Sequence, residues 1–139
     1  MPRPLIIIDT NVLVAALRSS KGASSKLLNL VGSGNFKLIL SVPLAFEYED
    51  VLHRPDKVPV SSRGIDAIID YICQEADQCR IFYLWRPVLK DPKDDMVLEL
   101  AINSGCDYIV THNTKDFLKA DKFKVKVVTP FQFMGLLEE

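Results

Sequence analysis

The chain has 139 residues, 48% of them apolar and 25% charged, and a formal net charge of −1. That balance predicts a single globular domain over residues 1–139 with a substantial core, and it excludes a strongly basic, nonspecific nucleic-acid coat. No apolar run nears the roughly 20 residues that span a bilayer, and "MPRPLIIIDT" reaches its acid too soon for a secretory signal, so a cytoplasmic protein is expected.

The first predicted element is a buried strand, Leu5 to Ile8, that runs straight into Asp9. An unpaired carboxylate is costly to bury, so Asp9 belongs at the strand's mouth or beside a cation. Val12 to Leu17 begins a short helix, broken near "SSKGASS", and Ser24 to Val31 forms a second, closed by Gly32 and Gly34. Lys37 to Leu40 reads as the second strand, and Pro43 opens a helix through about Leu52. His53 to Ser62, with Pro55 and Pro59, is a loop. Ile65, Ile68, Ile69 and Ile72 then recur at helical spacing, in a helix expected to end near Cys79.

Ile81 to Trp85 is the expected third strand, followed by the loop "RPVLKDPKD". A helix from Asp94 to Ser104 is stopped by Gly105. Tyr108 to Val110 is the fourth strand, Lys115 to Leu118 a short helix, and Val125 to Val128 the fifth strand, with Pro130 starting the last helix. Strands alternating with helices predict an α/β fold, a mostly parallel sheet covered on both faces. In such sheets ligands bind beyond the carboxyl ends of the strands.

Polar groups gather at those ends. Asp9 follows the first strand. Glu47, on the helix after the second, lies three residues from Leu44 and four from Val51, on their side of the axis. From Asp94, the residues at plus three, four and seven are Val97, Leu98 and Ala101, so Asp94 opens that helix's apolar face; capping is the alternative role for it and for Asp91 or Asp95. Thr111, His112, Asn113 and Asp116 follow the fourth strand. Carboxylates crowded in one cleft repel unless neutralised, and a hard divalent cation does that. Three cysteines without CxxC spacing and two histidines support zinc poorly, so magnesium or manganese fits better and the thiols are expected to be reduced.

The blocks "IIIDTNVLVAAL", "LSVPLAFEYEDVL", "DPKDDMVLELAINSGCDYIVTHNTKDF" and "VKVVTPFQFMGLL" together resemble the PIN domain, a family of metal-dependent ribonucleases that includes VapC-type toxins. "VLHRP" and "DPKDDMVLELA" are most similar to the bacterial and archaeal branch containing toxin–antitoxin components. The resemblance implies a three-layer α/β/α fold with five parallel strands ordered 3-2-1-4-5 and an acidic pocket at their carboxyl edge. By position it makes Asp9 the family's first acid, Glu47 the second and Asp94 the third. The fourth place holds Asn113 in "THN" where an aspartate is usual, and Asp116 stands ready to compensate. Asn11 and Thr111 are candidates to position water or phosphate oxygens, and Arg18, Lys21, Arg54 and Lys57 to flank the cleft.

The implied activity is RNA hydrolysis as the toxin of a type II system, with a small antitoxin partner and a homodimer in which Leu27, Leu28 and Val31 are candidate interface positions, core packing being the commoner fate of such residues. The alternative is a PIN module of weak or no activity that binds RNA or a protein. A phosphoacceptor role for Asp9 is disfavoured, because "PRPLIII" stands where a receiver domain carries an acidic pair.

Overall fold

A computed structural model describes residues 3–80 and 92–138. Strand β1 (Leu5–Ile8) leads into α1 (Thr10–Arg18) and α2 (Ala23–Asn29), then β2 (Lys37–Leu40), α3 (Val42–Leu52), α4 (Ser62–Glu75) and β3 (Asp77–Gln78). After these come α5 (Pro92–Ser104), β4 (Tyr108–Val110), a 3-10 segment (Thr114–Phe123) kinked at Phe117, β5 (Lys126–Val128) and α6 (Pro130–Leu137).

The five strands form one parallel sheet in the order β3-β2-β1-β4-β5, the order the PIN resemblance implies. β1 sits in the middle, pairing Leu5 with Lys37 of β2 on one side and Ile8 with Val110 of β4 on the other. A central parallel strand is covered on both faces, which explains why Ile6, Ile7 and Ile8 are all buried instead of alternating. The helices make the outer layers of an α/β/α sandwich.

Local chemistry sets the helix starts. Ser41 Oγ accepts from the Leu44 amide at 3.2 Å to cap α3, with Pro43 in its first turn. Ser61 does the same for α4, and Thr129 and Gln132 form a reciprocal capping box on α6. Phe133 of α6 is gripped edge-on by Phe36 at 5.7 Å and Tyr108 at 5.6 Å, which ties the C-terminal helix to the sheet.

Two expectations change. The helix read as ending near Cys79 stops at Glu75, because Ala76 is already extended, and the chain turns at once into β3. β3 is held by backbone pairing to Ile39 and Leu40, continued by the Cys79 amide on the Leu40 carbonyl at 2.8 Å. The strand expected at Ile81 to Trp85 lies outside the described residues. Leu27 and Val31, candidates for a dimer face, are instead buried in the core, and Leu28 packs against it. Among the described residues no helix is long and apolar enough to cross a membrane.

Candidate active site

β1, β2 and β4 end together at one edge of the sheet, and a cavity of about 620 Å³ opens there. Asp9, Glu47, Asp94, Asn113 and Asp116 all line it, with Asn11, Arg18, Lys57 and Lys93. Side chains separated by up to 107 positions thus share one cavity wall. Lys21 and Arg54 do not line the cavity: Arg54 is drawn back to Asp50 one helical turn away, at 3.0 Å, and Lys21 is exposed in the loop after α1.

Asp9 is the best-anchored of the acids. Its amide continues the sheet by donating to the Val110 carbonyl, while its Oδ1 caps α1 by accepting from the Thr10 amide at 2.9 Å. Its Oδ2 accepts from Thr111 Oγ1 at 2.8 Å and from Asn11 Nδ2 at 3.3 Å. Thr111, wholly buried at the end of β4, also accepts from Asn11 Nδ2 and from the Asn113 amide, so its hydroxyl is saturated. Asn11 Oδ1 closes the ring by accepting from the His112 amide. Asn11 and Thr111 therefore fix which way Asp9's carboxylate faces.

Burial pushes the Asp9 carboxyl up from its ordinary value; the bonds from Thr111 and Thr10 oppose that rise, and the charges on Glu47 and Asp116 add to it. Glu47 meets a cation, Lys93 Nζ, at 3.4 Å. Tyr48, the next residue on α3, is fully buried and donates its hydroxyl to the Ile8 carbonyl, pinning α3 to the last residue of β1. Burial, then Asp9's charge, holds this phenol well above its usual range, so it stays a donor. Tyr48→Phe is expected to lower stability by about 1–2 kcal/mol in urea unfolding, because the Ile8 carbonyl loses its partner where water cannot replace it.

Sequence reading missed Tyr48, Lys93 and the Ser24–His112 pair, in which Ser24 Oγ and His112 Nε2 lie 2.9 Å apart and link α2 to the loop after β4. Only Lys93 left a trace: a cation in the first turn of a helix opposes the dipole.

The PIN domain family model matches residues 5–115, most of the chain and every acid but Asp116 in the cavity. The chain belongs to the PIN domain family. A chain of the crystal structure of VapBC2 from Rickettsia felis bound to a DNA fragment from their promoter is similar in fold to this PIN domain. Its TM-score is 0.60 at 13% identity, and the match covers 88% of this chain and 96% of that one. No curated protein matches significantly.

PIN domains are generally nucleases and use divalent metal ions. The donors lining this cavity suit such an ion in kind, since they are carboxylate and amide oxygens with no His or Cys. They are not drawn into a cage, for among the described residues no three acidic, His or Cys side chains stand as a ready metal cluster.

Proposed function

We propose that this PIN domain hydrolyses RNA phosphodiester bonds with magnesium or manganese, as the toxin of a type II toxin–antitoxin system. The observation that carries the proposal is the convergence of Asp9, Glu47, Asp94, Asn113 and Asp116 on one cavity at the carboxyl edge of the sheet. Membership of a nuclease family and a fold like a VapBC2 chain support it. A small antitoxin, a homodimer and a cytoplasmic site of action belong to the same reading.

Asp9 and Asp94 would be the direct ligands of such an ion, Glu47 would hold a ligand water or orient the attacking one, and Asn113 or Asp116 would complete a second position. The bound ion would lower the pKa of water and offset charge on the scissile phosphate. Asn11 and Thr111 hold Asp9's carboxylate in one orientation, which would favour it as a ligand. Arg18, whose Nε donates to the Lys57 carbonyl at 2.8 Å, is fixed on the cavity wall with the rest of its guanidinium available to grip the RNA backbone.

The test is RNA digestion by wild type and Asp94→Asn in manganese, magnesium and EDTA. Cleavage should need the dication and fall about 100-fold or more in the variant. Full cleavage by Asp94→Asn, or in EDTA, would reject the site. A second reading, a PIN module that binds RNA without cutting it, is favoured by Asn113 in the usual place of an acid and by the lysine on Glu47. Calorimetry that finds RNA binding with no cut products would select it.

A further inference from the structure

The Glu47 side chain is only 11% exposed, whereas the Lys93 side chain that meets it is 59% exposed. The pair is thus rooted in its acid and reached from solvent by its base. Lys93 stands in the first turn of the 13-residue α5, at the positive end of the helix dipole, where Asp94 and Asp95 are the favoured charges. A lysine is disfavoured there unless a nearby anion compensates, and Glu47 is such an anion. The cavity wall holds four carboxylates, Asp9, Glu47, Asp94 and Asp116, against three cations, Arg18, Lys57 and Lys93. Of the three cations, Lys93 pairs with one of those four acids, Glu47.

We propose that Lys93 is a built-in counter-cation: it occupies Glu47 while no dication is bound and yields that carboxylate when one binds, so the protein's own ammonium sets how tightly the pocket takes metal. The exchange needs no bond chemistry. Glu47 turns one oxygen from the ammonium to the ion or its water, and Lys93, still protonated on a long flexible stem, moves into the solvent at the cavity mouth. Glu47 is then compensated in both states, and the loosely spaced acids need not repel one another while the site waits. The inference rests on the cavity being a metal site, and does not depend on RNA being its substrate.

Manganese titration by calorimetry on the full chain tests it, comparing wild type, Lys93→Met and Lys57→Met. Removing the competitor should tighten manganese binding about three- to tenfold, the scale of a partly buried ion pair. Lys57→Met removes the same charge from the same wall and should change affinity less than about twofold. In EDTA, Lys93→Met should melt below wild type, and saturating manganese should erase the difference. Unchanged or weaker affinity in Lys93→Met overturns the proposal, as does an equal gain in both variants, which would mark a general field effect. Lys93→Gln repeats the comparison should the methionine variant aggregate. If no variant binds manganese, both this inference and the metal site fall. If Lys93→Met binds as expected but RNA stays uncut, the nuclease reading falls alone.

Discussion

Asp9→Asn is expected to reduce RNA cleavage by about 100- to 1,000-fold while leaving the fold standing. The substitution keeps size and keeps the cap, since asparagine serves α1 as well as aspartate does, with Oδ1 still accepting from the Thr10 amide. The lost feature is one negative charge at the focus of the cavity and the oxygen that receives both Thr111 and Asn11. Thr111's hydroxyl already accepts two bonds, so it can receive the new amide only by releasing Asn11 Nδ2, which then turns to water. The stability change should therefore stay within about 1 kcal/mol.

Its pH dependence gives the sharper reading. The folded protein holds Asp9's carboxyl above the ordinary value, chiefly by burial, so the folded state binds that proton more tightly than the unfolded chain. The resulting stabilisation is complete below about pH 4, where the group is protonated in both states, and is lost as pH rises through the folded pKa. Metal-free wild type should thus melt at lower temperature as pH climbs past that point, and Asp9→Asn should lose that slope. A dication prefers the ionised carboxylate and should flatten or reverse the trend in wild type alone. Thermal melts across pH in EDTA and in manganese check both signs.

How far the site was legible follows from what each residue answers to. Asp9 could be found because an apolar β-branched run ends on it, and the rule that ligands gather beyond strand ends is indifferent to sequence distance. Asp94 could be found because the helical period after it points inward. Lys21 and Arg54 lie in loops that could flank the cleft, but a loop position does not say where a long side chain goes, and Arg54 answers to Asp50 four residues back.

β3 was hidden for a different reason. Asp77 and Gln78 are poor strand formers with exposed side chains, and their strand exists because the edge of β2 offers backbone partners. The isoleucine period that marks α4 ends at Ile72 and cannot say where the helix stops. The ring joining Asp9, Asn11 and Thr111 was equally out of reach, because its two bonds to Thr111 span about a hundred positions and no local pattern encodes them.

That ring carries the second large effect. Thr111→Val puts an isosteric methyl where a saturated hydroxyl stood, at a position with no exposure. One donor to Asp9 disappears, and Asn11 Nδ2 and the Asn113 amide lose their shared acceptor. Asn113 is exposed and water can serve it, so most of the cost falls on the partly buried Asp9 and Asn11. The expected loss is about 2 kcal/mol, a fall in melting temperature of about 6–10 °C for a domain of this size. Cleavage should fall about 10- to 100-fold, because the carboxylate is no longer held in register.

Thr111→Ser separates the two effects. It keeps every hydrogen bond and removes one buried methyl, so it should cost about 1 kcal/mol yet retain most activity. A serine variant as inactive as the valine one would mean that packing at the end of β4, and not the hydroxyl, aims Asp9. A valine variant with wild-type cleavage would mean that the metal ligand needs no aiming from this side of the sheet.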